Sequence, residues 1–285
     1  MDSKRNANGN SCSLLAGARW LVLLIFSAGC RAGELKPGAV EADAVKADAV
    51  KADAVKFEVS EQPVETSAVG SEQVLNRSIA FHDPDGLWND VAIPLQWVGR
   101  KADGTISMDL TVALGPHGAF QLSGQYGGAH FEYAVVDDQA TVSLDGQTEL
   151  SEEKRKSFAL DREDGLFWRN YFGFLGGLPM CLRDPDVQLE MVPFLTELEE
   201  RTVLAVRTSF DAEIGTDLWT FYFDQSTFEL VGCRFDRADS ERDGETLVFE
   251  GLCEVGGMQL PKLRGWSMNS DGKILGTDEL FARPD

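Results

Sequence analysis

The stretch Trp168–Pro185, WRNYFGFLGGLPMCLRDP, constrains the fold more than any other part of this chain. Read as a helix from about Glu163 to Leu175, it carries an apolar stripe that is too wide for a helix lying on one side of a core. Such a helix needs protein on most of its sides. Gly176 and Gly177 are expected to end it, because glycine adopts the left-handed conformation of a helix C-cap. The stripe comprises Phe167, Trp168, Tyr171, Phe172, Phe174 and Leu175.

Two interpretations of this helix stay open. In the first, it is the packed core helix of a fold in which a sheet wraps around it. In the second, part of its aromatic face lines a cavity for an apolar ligand, and Arg169 and Arg183 meet a polar headgroup at the mouth. The residues predicted to line that cavity are Trp168, Phe172, Phe174, Leu178 and Met180.

Segments before and after this helix show the alternation and turn clusters of strands in an antiparallel meander. The chain has no alternating strand–helix units and no phosphate loop, which argues against a parallel doubly wound fold. We therefore expect an α+β fold, with about a dozen strands in a strongly curved antiparallel half-barrel around the central aromatic helix. Pro94 indicates an edge position or a bulge. The predicted strands are Val91–Val98, Thr105–Leu114, Ala119–Tyr126, His130–Val136, Ala140–Leu144, Val187–Val192, Thr202–Phe210, Leu218–Phe223, Phe228–Asp236, Glu245–Val255, Met258–Asn269 and Lys273–Phe281.

Five motifs occur in order along roughly residues 72–282. They are FHDPDGLW at Phe81–Trp88, RNYFGFLGGLPMCLRDP at Arg169–Pro185, DLWTFYFDQST at Asp217–Thr227, GMQLPKLRGW at Gly257–Trp266 and LGTDEL at Leu275–Leu280. Together they resemble the motifs of a bacterial envelope-protein family of uncharacterised function. That family is similar in shape to the LolA/LolB lipoprotein carriers, in which a curved antiparallel sheet closes over helices around an apolar cavity. The resemblance implies a fold more than an activity.

The first thirty residues are typical of a lipoprotein signal peptide. Lys4 and Arg5 precede Trp20–Ala28, an apolar segment of the length of a signal core and short for a membrane span. Small residues then precede Cys30, as in a bacterial lipobox, although Ser27 replaces the usual leucine. An ordinary secretory signal is the alternative. We expect lipidation of Cys30 to anchor the chain to a membrane, the outer membrane rather than the inner, with the domain in the periplasm or at the cell surface.

Residues 31–70 are predicted to form a flexible linker. The sequence ADAVK occurs three times in tandem within Ala42–Lys56. A period of five places valine on no single face of a helix or a strand, so the repeat has little to pack. A linker of about 40 residues would span roughly 35 Å. The folded domain is expected at residues 71–285, with Ser71 as the N-cap of a short helix that Asp83 and Pro84 end.

The charge balance of the chain excludes some partners. Lys and Arg number 26 against 47 Asp and Glu, a net charge of −21. A surface this negative argues against nucleic acid and against docking on anionic lipid, and it favours a monomer.

Candidate catalytic and metal-binding residues are sparse. The three histidines lie outside any metal-binding spacing: His82 at a helix end, His117 in a hairpin turn and His130 at a strand start. Three cysteines remain after Cys12 and Cys30, without a C-x-x-C pair, so a zinc site is unsupported. We expect no cofactor and no metal. Cys233 and Cys253 lie on strands joined by one connection, and a disulfide between them stays open, whereas Cys181 is expected in the core.

Three functions follow from these observations. The first is a non-catalytic envelope lipoprotein that binds an acyl chain or a lipidated peptide. The second is a structural or interaction lipoprotein with a packed core and no ligand. The third is a hydrolase, for which His82 and Asp83 are the residues to test.

Overall fold

The computed structural model consists of one large antiparallel sheet and few helices. In the described part of the chain, fourteen strands belong to the sheet, and thirteen of them follow one another in continuous order. This confirms the predicted antiparallel α+β architecture, and the sheet is not closed over the described residues. Those residues are 62–63, 69–126, 128–158, 162–210, 217–237 and 243–283.

The elements agree closely with the hydrophobic patterns of the sequence. The helices are α1 (Ser71–His82), α2 (Glu152–Phe158) and α3 (Arg162–Gly177), with short 3-10 turns at Pro116–Gly118 and Met180–Arg183. The strands are β1 (Gln62–Pro63), β2 (Ile93–Lys101), β3 (Ile106–Leu114), β4 (Phe120–Tyr126), β5 (Ala129–Val136), β6 (Gln139–Leu144), β7 (Val187–Leu189), β8 (Phe194–Leu198), β9 (Arg201–Phe210), β10 (Leu218–Phe223), β11 (Leu230–Asp236), β12 (Glu245–Val255), β13 (Met258–Met268) and β14 (Ile274–Ala282).

Two meanders make up the sheet. Strands β2 to β6 form one and β8 to β14 form the other, and β14 pairs with β2 to join them, with Leu280 opposite Trp97. The short strand β7 pairs with β9 beside β8. The long-range pairing of β14 with β2 brings the two ends of the domain together. The helices α2 and α3 connect the two meanders in the chain.

The sheet has two chemically different faces, which we call inner and outer. Trp219 and Phe221 of β10 point to the inner face, where Trp219 lies opposite Phe235. Thr220 and Tyr222 alternate with them and point to the outer face. The large core lies on the inner face, while Leu198, Tyr222 and neighbouring residues form a small second cluster on the outer face.

Some local predictions were wrong. Strand β8 was missed, since Pro193 directly precedes it and the predicted strand stopped at Val192. Pro94 does not lie on an edge strand, because β2 pairs with both β3 and β14. It is tolerated there because β14 ends opposite Leu95, and beyond that end the Arg283 N–H donates to the Pro94 carbonyl.

Two further predictions need correction. Helix α1 begins at Ser71 with Gly70 as its N-cap, so Ser71 is not the cap. Cys233 and Cys253 are free, because the register of β11 and β12 places Leu247, not Cys253, opposite Cys233.

The predicted signal peptide, Cys30 and the ADAVK repeats lie outside the described residues. Gln62 and Pro63, which fall within the predicted linker, pair with β8 at the end of the sheet. None of the helices in the described part of the chain is both long and apolar enough to cross a membrane.

Candidate functional site

Helix α3 packs its aromatic side chains against the inner face of the sheet. Phe172 contacts Trp97 of β2 edge-to-face, with the ring centroids 4.8 Å apart, and stacks on Phe120 of β4 at 6.3 Å. Trp168, one turn earlier on the helix, stacks on Phe172 at 5.7 Å. Aromatic pairs at these separations stabilise beyond the area that they bury. One side of α3 is thus held by the meander of β2 to β6.

A second aromatic group, which we call the Trp219 cluster, holds the other side of α3. It contains Phe174, Phe210, Trp219 and Phe235. Trp219 of β10 lies 5.1 Å from Phe174 and 4.9 Å from Phe235, between ring centroids. Phe210, the last residue of β9, completes the cluster at 6.0 Å from Phe174. The cluster therefore lies near the ends of two neighbouring strands, where β9 stops and β10 starts.

The residues predicted to line a ligand cavity are brought to the inner face. Phe172, Phe174, Leu178 and Met180 are buried, and Trp168 is half-buried. Beside α3, next to Gly173, Arg169 and Trp88, lies a cavity of about 20 Å³, which has room for about one water molecule. The aromatic face of α3 therefore packs on protein in this conformation.

The two arginines proposed at the mouth of that cavity bind side chains of different segments. The Arg169 side chain is 7% exposed, and its Nη1 donates to Asp138 Oδ1 at 2.5 Å. Arg183 is exposed and donates to the side chain of Asn76 on α1. Of the two, Arg169 also lines the small cavity beside α3.

A polar group that sequence reasoning missed borders the Trp219 cluster. The Arg237 guanidinium lies over the Phe235 ring, 5.1 Å from its centroid, and Arg237 Nη1 is 3.5 Å from Asp217 Oδ2. Glu245, the first residue of β12, lies opposite Phe235. A sequence signal existed, because Cys233, Phe235 and Arg237 alternate with the period of one strand face.

Burial governs the charge of Glu245. It raises the pKa of this carboxyl to about 8, while the nearby Arg237 acts in the opposite direction. Glu245 therefore holds its proton at neutral pH. Its Oε2 is buried and has no hydrogen-bond partner among the described residues. The same holds for Nε and Nη2 of Arg237.

A second buried polar group lies beneath α3, and its hydrogen bonds join α3 to the sheet. Arg264 Nη1 donates to Asp278 Oδ1, and Nη2 donates to the carbonyl of Leu175 on α3, both at 3.0 Å. Trp266 Nε1 donates to the other oxygen of Asp278 at 2.6 Å. The guanidinium lies over Trp97, 4.6 Å from the ring centroid. This group fixes the C-terminal part of α3 to strands β13 and β14.

The residues named for the hydrolase hypothesis are engaged by the backbone. The Leu230 N–H donates to His82 Nε2 at 2.9 Å, so the proton is on Nδ1, which donates to the Gln259 carbonyl. Burial lowers the pKa of His82 to about 4. Asp83 accepts hydrogen bonds from the backbone N–H groups of Leu87 and Trp88. With both ring nitrogens occupied, His82 has no free atom for a proton transfer or a metal.

The cysteines are not placed for nucleophilic chemistry. Cys181, Cys233 and Cys253 are buried, and burial raises the pKa of each thiol. A buried neutral thiol is a poor nucleophile. Over the described ranges, no group of three or more His, Cys, Asp or Glu side chains is placed to hold a metal ion.

The outer face carries a wider opening. A groove of about 200 Å³ lies across β8 to β11, between the side chains of Phe194 and Asp236. Arg207 lies over Phe194, 4.8 Å from the ring centroid, and also lines the groove. Leu218 at its rim is exposed. This groove is separated from the Trp219 cluster by the thickness of the sheet.

No protein-family model matches this chain, and no curated protein matches it. Among solved structures, the chain is similar to a LolA superfamily protein from Nitrosomonas europaea, with 10% identity and a TM-score of 0.47 over 75% of this chain and 92% of that one. It is also similar to a putative outer membrane lipoprotein-sorting protein domain from Vibrio parahaemolyticus, with 11% identity and a TM-score of 0.36 over 74% of this chain and 89% of that domain.

A DUF1329 family protein from Desulfovibrio piger is similar at 10% identity and a TM-score of 0.39, over 75% of this chain and 92% of that one. LolA-like proteins are thus among the structures found, as the sequence motifs led us to expect. At identities and TM-scores this low, the likeness assigns no activity to the chain.

Proposed function

We propose that this chain is a non-catalytic, membrane-anchored lipoprotein of the bacterial envelope that binds an apolar ligand. The ligand is an acyl chain or a lipidated peptide. It is held between α3 and the inner face of the sheet, against Trp168, Phe172, Phe174, Leu178 and Met180. The sequence motifs, the expected lipobox and the aromatic inner face support this proposal together.

One observation carries the proposal. Phe172 and Phe174, two residues apart on α3, contact Phe120 of β4 and Trp219 of β10. These strands lie seven steps apart in the sheet. A flat sheet would separate them by about 33 Å, whereas a helix with its side chains is about 10–12 Å wide. The sheet must therefore bend around α3, and its apolar inner face forms a concave surface against which α3 packs.

The direct test uses the chain from Arg31 onwards, which contains every described residue. It is purified natively, extracted with organic solvent for mass spectrometry and then titrated with a fluorescent fatty acid. The proposal expects co-purified lipid and saturable binding. A folded sample with neither would exclude a ligand-binding role.

Substitution of Phe174 by Asp is expected to abolish fatty-acid binding, because a charge on the inner face repels an acyl chain and disrupts the Trp219 cluster. Phe174→Ala is the milder variant, with an expected loss of about tenfold or more in affinity for the removed contact area. The matched control is Leu198→Ala in the outer-face cluster. It removes core volume at comparable cost in stability and should leave binding unchanged. Equal binding by folded Phe174→Ala and Leu198→Ala would contradict the assignment.

Substitution of Cys30 by Ser is expected to remove the chain from the membrane fraction, because the thiol that carries the acyl chains is lost. Cys12→Ser, which changes a cysteine outside the lipobox, should leave the protein in the membrane fraction. Detergent phase partitioning with metabolic labelling by a fatty acid measures both. Retention and labelling of the Cys30→Ser protein would contradict lipidation at this residue.

A second function is favoured by the packing itself. The cavity beside α3 holds about 20 Å³ and the groove on the outer face about 200 Å³. A structural or interaction lipoprotein would use its outer face and keep its inner face closed. Crosslinking at the membrane, with no lipid in the extract, is the result that this alternative expects.

A further inference from the structure

The guanidinium of Arg237 has one free binding edge. Nε and Nη2 lie on the same side of a guanidinium and form the fork that accepts a carboxylate with two parallel hydrogen bonds. Both atoms are buried in Arg237 and have no hydrogen-bond partner in the described part of the chain. The side chain as a whole is 4% exposed. A buried charged fork without a partner is costly, which points to a missing anion.

Arg234 of β11, three residues before Arg237, shows the same pair of donors bound to a carboxylate. Its Nε lies 3.0 Å from Asp236 Oδ2, and its Nη2 lies 2.6 Å from Asp236 Oδ1. Arg234 points to the outer face, because it alternates with Phe235 along β11. β11 and the residue that follows it thus carry two forks on opposite faces. One is occupied by the carboxylate of Asp236, and the other is empty.

Asp217 and Glu245 lie beside Arg237, and neither of them fills its free fork. Asp217 Oδ2 lies 3.5 Å from Nη1, on the far side from the free fork, and Asp217 is itself partly exposed. The carboxyl of Glu245, whose pKa burial raises to about 8, is neutral at pH 7 and does not neutralise Arg237. Its unpaired Oε2 offers a further hydrogen-bonding atom on the same face.

Buried apolar side chains continue directly from this fork. The guanidinium lies on Phe235, whose ring is 4.9 Å from Trp219, and Trp219 contacts Phe174 on α3. A charged head at Arg237 would therefore have its tail along the Trp219 cluster and towards α3. This arrangement suits a molecule with an anionic end and an apolar body.

We propose that Arg237 binds the carboxylate of a long-chain acid whose acyl tail lies along the Trp219 cluster. This inference rests on the proposed function and specifies its ligand class, since it predicts a free acid over a neutral lipid. A carboxylate matches the two parallel donors of one guanidinium.

The test compares palmitic acid with hexadecanol, which has the same chain length and an uncharged head. The chain from Arg31 onwards is delipidated and titrated with each at about pH 7.5, by displacement of a fluorescent probe. We expect the acid to bind at least about tenfold more tightly than the alcohol, as a charge-assisted bidentate pair provides. In Arg237→Gln this preference should disappear, while the affinity for hexadecanol stays within about twofold.

Two further variants test whether the preference for the acid depends on the paired donors of Arg237, on its charge alone or on a general effect of losing an arginine. Arg237→Lys keeps the charge without the fork and should lose most of the preference, since lysine is a point charge. Arg234→Gln, on the opposite face, should keep it. If Arg237→Gln does not fold, the ratio of the wild-type affinities for palmitic acid and hexadecanol still tests the proposal. Equal affinities for acid and alcohol would overturn the Arg237 assignment and leave an apolar carrier, whereas binding of neither would overturn the proposed function as well.

Discussion

Replacement of Asp278 by Ala is expected to lower the free energy of unfolding by about 3–5 kcal/mol. The Arg264 and Asp278 side chains are 0% and 5% exposed, so neither group can recover water when its partner is removed. The substitution leaves the Arg264 charge buried and also removes the acceptor of the Trp266 indole N–H. Urea denaturation of the purified chain measures the loss.

A matched control exists on the same two strands. Lys262 and Glu279 form an ion pair at 3.3 Å, with side chains 40% and 32% exposed. Glu279→Ala should cost about 1 kcal/mol or less, because water screens the pair and solvates the remaining lysine. Similar losses for Asp278→Ala and Glu279→Ala would contradict a structural role for the buried pair.

The double variant Arg264→Met with Asp278→Leu refines this prediction. It removes both charges together, so it should recover much of the stability lost in Asp278→Ala, since the largest cost there is an unpaired buried charge. The contacts of Arg264 with Leu175 and Trp97 are removed in the double variant alone, because Asp278→Ala keeps Arg264. A double variant less stable than Asp278→Ala would show that these contacts, rather than the charge pair, hold α3.

The stability advantage of the wild-type chain over His82→Gln is expected to shrink by about 2 kcal/mol between about pH 7.5 and pH 5. The pKa of His82 is about 4 in the folded chain against 6.5 as the ordinary value. In this range the unfolded chain takes up a proton that the native imidazole does not bind, because burial disfavours the charged form of the ring. A protonated Nε2 would also face the Leu230 N–H as a second donor. The stability is present above the ordinary pKa and is lost as the pH falls.

The comparison with a variant is essential here because Glu245 acts with the opposite sign. Its pKa is about 8 in the folded chain, so the native state binds this proton first and gains stability as the pH falls towards 4.5. His130→Gln, at an exposed strand position, is the control for the substitution itself and should change the free energy of unfolding by less than about 0.5 kcal/mol. A His82 pKa near 6.5, measured by NMR in the folded chain, would contradict the prediction.

Much of the architecture was accessible from local pattern. The alternation in the two meanders predicted strands within a few residues of their observed bounds, because each strand has one core-facing side and a turn at each end. Strand β8 was missed since Pro193 and the exposed Met191 and Val192 break the alternation before it. The position of Pro94 was wrong for a related reason: strand order depends on pairing between distant segments, which a local pattern does not contain.

The candidate site divides in the same way. Phe172 and Phe174 were identified because an apolar stripe on a helix is a local periodicity. Arg237 and Glu245 were not identified as site residues. Each is one charged residue beside the end of a strand, and the chain has many such residues. Their significance comes from burial beside Phe235, which requires β11 and β12 to pair and the Trp219 cluster to form.

The amino-acid sequence by itself determined the antiparallel sheet, the aromatic helix, the absence of a recognisable catalytic motif and the expected lipid anchor at Cys30, since these depend on period, composition and short motifs. Only the tertiary structure decided that β14 closes against β2, that Arg264 and Asp278 are paired beneath α3, and that the fork of Arg237 is buried and empty. The physical reason is that burial and ion pairing depend on residues far apart in the chain. The energetic effect of a charged side chain therefore depends on the groups that folding places around it.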